Sequence, residues 1–373
     1  MKNNKILIFL FLLVSAVGFS QVYTNKVVGK KNEALLDSLK VAEYPYALPI
    51  WGDKATKKGF HLPYSAGVSL NYFWQESELT IKNLEVGFNN GTMHNLDQII
   101  RFNNAKATGY ALNVRPDIWL FPFLNVYGIL GKADMSTAID AGIWVPDANN
   151  NWSEILPFKT KADFEGSTFG LGLTPTIGIG GGWLALDMNV AWTDIPALEK
   201  PAMSFIFGPR LGKTFKLNKP ESNIAFWAGA FRVHIKSGTN GSLPLGDFIN
   251  TDGAQAKVDQ ALVKVDEKQV QVDTWWNGLS NVDQSKPSNK AKYETANKAL
   301  ESAGNLLNGI DGALSTVGTS TVQYSLEKSQ TNMWNFIVGT QYQFNRHFML
   351  RAECGFLGTR TQFMTSFQYR FGL

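Results

Sequence analysis

The side chains able to do chemistry in this sequence do not gather into a motif. Its four histidines, His61, His94, His234 and His347, share no metal-ligand spacing. No HExxH pair, EF-hand loop or GxSxG nucleophile elbow occurs. Gly180-Gly181-Gly182 is followed by Trp183, not by the Lys-Ser/Thr of a phosphate loop. Cys354 is the one cysteine, which excludes an intrachain disulfide and a zinc site built from cysteines. No spacing therefore implies a cofactor or a catalytic group, although a Ser-His dyad assembled from distant segments would leave no such trace. What remains is a patterned polar set: Arg115, Asp117, Asp187, Asn189, Arg210, Arg232, His234, Arg351, Glu353, Arg360 and Arg370. Each stands on the polar side of a segment in which apolar and polar residues alternate. Charges held in that way either pair across neighbouring strands or line a wetted interior. Arginines outnumber carboxylates in the set, so an open lining of this kind would favour anionic solutes.

The elements that carry the set are long period-two segments. In 64–75, Tyr64, Ala66, Val68, Leu70, Tyr72 and Trp74 alternate with Ser65, Gly67, Ser69, Asn71, Phe73 and Gln75. In 108–120, Tyr110, Leu112, Val114, Pro116, Ile118 and Leu120 form the apolar side. Phe169, Leu171, Leu173, Ile177 and Ile179 alternate with glycines and threonines, and Gly181-Gly182 supplies a tight turn into Leu184, Leu186, Met188, Val190 and Trp192. Similar segments lie around 203–215, 225–235, 334–344, 348–357 and 360–373. They run to about 13 residues or more, against a mean soluble strand of five or six, and a tilted crossing of a bilayer needs about 9–11. Inside hydrocarbon every backbone N–H and C=O needs a partner, which only a helix or a closed ladder supplies. The expected fold is therefore an all-β membrane protein: a closed antiparallel transmembrane β-barrel of about 10–12 strands with an extracellular-side helical hairpin insertion. A soluble β-sandwich also alternates, but its strands are shorter. In such a barrel the charged set should face the lumen, since an outward Arg or Lys at mid-bilayer costs about 2–4 kcal/mol.

The N-terminus reads as a secretory signal. Lys2 and Lys5 precede an apolar run from Ile6 to Val17, and Ala16, Gly18 and Ser20 are small. The expected organisation is a signal peptide at 1–20, an N-terminal periplasmic segment at 21–60, and the first part of the barrel at 61–236. A helical hairpin insertion at 237–329, serving as cap or plug, and C-terminal barrel strands at 330–373 complete it. Loss of Lys2 and Lys5 lowers the net charge from +4 to +2, leaving 33 basic against 31 acidic residues. That near-neutral balance implies no nucleic-acid partner. In an oxidising compartment Cys354 should be buried or turned to lipid.

Two stretches carry a resemblance. FMTSFQYRFGL, 363–373, resembles the terminal strand by which outer-membrane barrels are recognised for insertion, although those usually end in Phe and this chain ends in Leu373. RPDIWLFPFLNVYG, 115–128, resembles a segment of Gram-negative barrel proteins, and Gln21 after the expected cleavage resembles export signals of the Bacteroidota. The resemblance is to Gram-negative, Bacteroidota-like outer-membrane β-barrel proteins and extends over most of the mature chain. It implies Sec export, a bacterial outer membrane location, contact with outer-membrane lipid, and the barrel-insertion machinery as a partner through the C-terminal strand. It brings no activity and no catalytic residues. With both termini in the periplasm, 358–359 and the segment after Lys236 fall outside, as does the polar stretch 146–163, read as a long connection. The turns at 121–123, 181–182, 218–222 and 345–346 fall inside. The region 79–104 is expected to add strands or fold inward as a loop.

Within 251–329 the period changes. Tyr293, Ala296, Leu300, Ala303, Leu307, Ile310, Leu314 and Val317 are spaced by alternating threes and fours, a heptad stripe. Ala254, Val258, Ala261, Val265, Val272 and Trp275 form a weaker one, and 277–289, with Pro287, connects them. An antiparallel helical hairpin is expected, weakened by up to about 1 kcal/mol at each of Gly304, Gly309 and Gly312. Trp275 and Trp276 either pin that hairpin, the favoured reading, or contact a protein or sugar partner. Function is expected to be a channel or transporter for a small solute or lipid. The alternatives are an interaction barrel presenting its hairpin to a protein and, less favoured, a membrane-embedded lipid hydrolase with Ser, His and an acid at the outer rim.

Overall fold

The computed structural model describes Asp37, Val41 and residues 43–373, apart from 197–199, 220, 237, 249–252 and 317. The expected signal peptide and the N-terminal part of the periplasmic segment lie outside the described residues, as does Val317 of the heptad stripe. After α1 (Gly52–Lys57) come β1 (Ala66–Phe88), the short β2 (His94–Asn95), β3 (Ile100–Phe121), β4 (Leu124–Pro146), β5 (Trp152–Ile179), β6 (Gly182–Asp194), β7 (Ala202–Lys216) and β8 (Asn223–Lys236). An insertion follows: β9 (Gly238–Pro244), α2 (Leu245–Phe248), α3 (Ala254–Asn277), α4 (Asn281–Gln284), α5 (Pro287–Leu314) and β10 (Thr321–Gln330). β11 (Trp334–Gln343), β12 (Phe348–Phe356) and β13 (Arg360–Phe371) complete the chain.

β1, β3 to β8 and β11 to β13 form one antiparallel ladder in chain order, and β13 returns to β1 from Ala66↔Phe371 to Ser77↔Arg360. Those ten strands close a transmembrane barrel without an edge. Its outer surface is apolar: Leu70, Leu112, Leu171, Leu211, Phe226 and Phe367 are all exposed. The residues between them, among them Ser69, Asn71, Thr176, Arg210 and Ser366, are buried. On β5 the outward apolar row Phe169–Ile179 spans 11 residues, which matches a tilted crossing of about 9–11. The turns at one end are short. Gly180 and Gly181, with φ 55° and 80°, form a two-residue connection closed by Ile179↔Gly182. Positive φ at both positions is what a type I′ hairpin turn demands, so the turn sits one residue earlier than the sequence suggested.

Above the apolar belt the polarity of the wall inverts. The outward residues of β5 become Lys159, Lys161, Asp163 and Glu165, all exposed. The inward ones become Leu156, Phe158, Thr160, Ala162 and Phe164, paired with the inward row of β4. Outside the bilayer water replaces lipid, so the greasy side must turn in. The polar stretch 146–163 is consequently mostly strand. Only a turn separates β4 from β5, closed by Asp147, whose Oδ1 accepts from the Asn149 and Asn151 amides at 2.8 and 2.9 Å. The insertion differs from a bare hairpin in the same way. β10 pairs with the upper half of β1 (Leu79↔Gln330 to Phe88↔Val322), and β9 pairs with β10. Region 79–104 supplies that upper half, plus Leu96 and Ile99, which are fully buried.

α3 and α5 lie against this raised sheet. Their stripes (Val258, Ala261, Val265, Val272 and Ala296, Leu300, Ala303, Leu307) share one core with Val86, Ile99, Ile143 and Val145. At the opposite, short-turn end the N-terminal segment docks on the barrel. The Leu48 amide donates to the Leu373 carbonyl at 3.1 Å and the Ile50 amide to that of Leu120 at 2.9 Å. Trp51 packs on Phe121 with ring centroids 5.0 Å apart.

Candidate functional site

The lumen is braced by ions. Arg210, on β7, donates from Nε and Nη2 to both oxygens of Glu353, on β12, at 2.7 and 3.0 Å. Its Nη1 reaches Asp187, on β6, at 3.2 Å. Glu353 also accepts from Trp227 Nε1 at 2.8 Å and Arg351 Nη2 at 3.1 Å. Asp187 accepts from the Tyr127 hydroxyl at 2.5 Å and Thr174 Oγ1 at 2.9 Å. Tyr127 in turn accepts from Asn189 Nδ2 at 3.2 Å, and the Arg115 guanidinium lies 3.4 Å from its ring centroid. Closer to the short-turn end, Asp117 accepts from Arg370 at 3.0 Å, Asn125 at 2.7 Å and Gln368 at 2.6 Å. The anionic groups thus sit in charge-assisted contacts, forked at Arg210–Glu353, that fix several strands at once.

Most of the polar set expected from the sequence meets here: Arg115, Asp117, Asp187, Asn189, Arg210, Arg351, Glu353 and Arg370 all line the lumen. Arg360 is buried at the long-strand end, donating to the Phe231 carbonyl at 2.9 Å and bonded to Gln330. Arg232 and His234 correct the expectation. On β8 Trp227, Phe231 and Val233 are the buried row, whereas Phe226 and His234 are exposed. Arg232 and His234 share the outward side with Phe207 and Phe205 of β7. β8 carries apolar residues on both sides, so alternation did not choose between them. At the top of the belt an outward arginine reaches polar surroundings, and Arg232 Nη2 lies 3.5 Å from Met333 Sδ. The arginines that do line the lumen are held by partners, which answers to bracing rather than to an open cationic ring.

Among the inward aromatics not anticipated are Tyr127, Trp183 and Trp227. They lie flat on wall glycines; a Cβ on Gly172 would sit 2.3 Å from the Tyr127 ring, and one on Gly339 2.3 Å from Trp227. The glycine-rich inner row of β5 is therefore filled, at Gly172, by a neighbour's ring. Trp276 stacks on Tyr293 at 4.4 Å, and Lys292 covers Trp275 at 4.4 Å. The tryptophan pair pins the hairpin.

Two cavities among the described residues lie along the barrel axis. One of about 580 Å³ occupies the lumen, from His61 and Arg346 at the short-turn end to Met135 and Gln362. The second, about 440 Å³, lies above it between the raised sheet and the hairpin, lined by Ile81, Val86, Phe88, Ile139, Phe164, Leu306, Tyr324, Leu326 and Lys328 among others. The β10 row Val322, Tyr324, Leu326 and Lys328 lies inside the stretch 251–329 whose period change pointed to helix, although its alternation is plain.

Fold and site together define a transmembrane β-barrel with a braced polar lumen and an apolar chamber above it. No protein-family profile matches the sequence, and no curated protein matches it. Solved structures that align with it include bacterial barrels. The translocator domain of the autotransporter NalP from Neisseria meningitidis aligns over 82% of this chain and 89% of that one, at 8% identity and a TM-score of 0.32. The β domain of the Bordetella autotransporter BrkA gives 82% and 100%, 9% identity and 0.29. An outer membrane channel from Pseudomonas putida F1 gives 83% and 96%, 9% and 0.26. At these scores the likenesses add nothing to what the chain's own ladder shows.

Proposed function

We propose that this protein is a bacterial outer-membrane barrel that admits a small solute or lipid at its long-strand end and passes it toward the lumen. The observation that carries the proposal is that two cavities adjoin along one strand. On the inward face of β4, Tyr127, Ile129, Ala133 and Met135 line the lumen, and Thr137, Ile139 and Ile143 line the chamber. Two cavities thus lie end to end along one wall, the upper apolar and the lower polar. Long strands and the insertion belong outside the cell and the short turns in the periplasm, the usual arrangement of such barrels. The Arg210–Glu353–Asp187 brace stands across the path, so passage requires a slender solute or a shift of the brace. The test is reconstitution of the full mature chain in liposomes. Uptake of a small apolar solute above that of empty liposomes is expected, together with a rise when Arg351→Ala trims the side of the brace. Liposomes as tight as protein-free ones toward every solute would overturn it.

The interaction reading has one observation in its favour: Val263 and Val270, a heptad apart on α3, are exposed. The rest of the hairpin's apolar stripe is occupied by the raised sheet. Val263→Glu with Val270→Glu, which leaves that packing alone, should abolish association with a protein partner if this surface serves one.

A further inference from the structure

The upper chamber has an apolar body with a few polar groups that lack a hydrogen-bond partner among the described residues. The hydroxyls of Thr160, on β5, and Tyr324, on β10, are buried without a hydrogen-bond partner among the described residues, and both residues line the chamber. Orphaned buried hydroxyls are uncommon, since each forfeits a hydrogen bond to water. Lys328 lines the same chamber. Its Nζ lies 5.4 Å from the Phe164 ring centroid, and no carboxylate pairs with it among the described residues. Burial pushes its ammonium below the ordinary lysine range, as desolvation without a counter-charge must. Lys328 stands where the two cavities approach: Phe164 faces the chamber, and Met135, its partner across the β4–β5 ladder, lines the lumen. Exposed Lys257, at the first turn of α3, also lines the chamber, so the cavity reaches solvent beside that helix.

From these placements, we infer that the chamber binds a single-chain amphiphile with a carboxylate head, its alkyl chain between the raised sheet and α5 and its head on Lys328. The inference rests on the transport reading and names its substrate class. About 440 Å³ is in the range of small-molecule sites, about 300–1,000 Å³, and suits one alkyl chain rather than the several of a membrane lipid. A carboxylate supplies the charge that Lys328 lacks.

The test measures binding, not passage. The full mature chain in nanodiscs of zwitterionic lipid is titrated with cis-parinaric acid and with the alcohol of the same chain, both followed by polyene fluorescence. The acid should bind at least about tenfold tighter. Lys328→Met should remove that preference while leaving the alcohol's affinity in place, and Lys328→Arg should keep it. Ala162→Trp, which fills the chamber, should weaken both probes, and retention of heat-modifiable migration in electrophoresis shows that each variant barrel is folded. Equal affinity for acid and alcohol, or a preference that survives Lys328→Met, would overturn the inference. So would displacement of the acid by anionic phospholipid in the disc as readily as by free oleate, because the occupant would then be a bilayer lipid. Lys328-dependent binding without uptake in liposomes would leave this site standing and remove the transport reading. Uptake of apolar solutes without a head-group preference would do the reverse.

Discussion

Glu353 receives four charged or polar donors, and its side chain is 3% exposed. Such a group is more a keystone than a reagent. Its replacement leaves buried Arg210, and half-buried Arg351 beside it, with too little counter-charge, and removing one partner of a buried pair typically costs about 3–5 kcal/mol. Glu353→Gln should therefore lower the urea midpoint of the folded barrel, followed by tryptophan fluorescence. Arg210→Met combined with Glu353→Leu should recover much of the loss, because the buried charge goes with its partner. An unchanged midpoint in Glu353→Gln would mean that water in the lumen already solvates both arginines. His61 acts at the short-turn end, where it contacts Arg346. Burial first, then the Arg346 charge, hold its imidazole below the ordinary histidine range. The unfolded segment therefore binds the proton more readily than the docked one. The contribution to docking is whole above pH about 6.5 and is lost as pH falls through the lower value in the folded state. Limited proteolysis of the N-terminal segment should accelerate between pH 7.5 and 5, and His61→Gln should abolish that pH dependence.

At the scale of elements, two of the three glycines of α5 have opposite duties. A Cβ on Gly309 would lie 2.6 Å from the Phe88 ring, whereas Gly304 has nothing within 4 Å. Gly304→Ala should raise the thermal midpoint of the hairpin, by up to about 1 kcal/mol of helix propensity. Gly309→Ala should lower it, because the Phe88 ring that lines the chamber must move; far-ultraviolet circular dichroism at 222 nm reads both. Strands and helices were legible in the sequence because each has a periodic apolar row: the belt residues Leu112, Leu171 and Leu211, and the stripe from Ala296 to Leu307. The brace was legible in part, since Arg210 and Glu353 stand on unambiguous polar rows. Arg232 and His234 were misplaced because β8 has apolar residues on both sides. The chamber was hidden for a different reason. Above the belt the solvent changes from lipid to water and the sense of alternation reverses, so Lys159, Lys161 and Asp163 resembled a loop. Tyr127 reaches Asp187 only because Gly172 lies beneath its ring, a pairing across strands that spacing along one strand does not reveal.

For the whole molecule, the lone thiol offers a gauge of how the barrel sits. Cys354 is exposed on the outward face, opposite Val338 and Phe363 on the neighbouring strands. A spin label there, in liposomes, should be relaxed more by oxygen than by a water-soluble nickel complex, as hydrocarbon surroundings require. The reverse order would remove the lipid belt from that side. On the side away from β3, β1 has two successive neighbours. It pairs with β13 as far as Ser77 and with β10 from Leu79 onward, with Glu78 bonded through its backbone to both Thr359 and Thr331. The upper ladder can therefore part from β1 while the lower one stays shut. Local opening in such a molecule comes in two sizes. Amide deuterium uptake should follow suit: β10 and α5 label together and early, β13 and β12 late, with the boundary on β1 between Ser77 and Leu79.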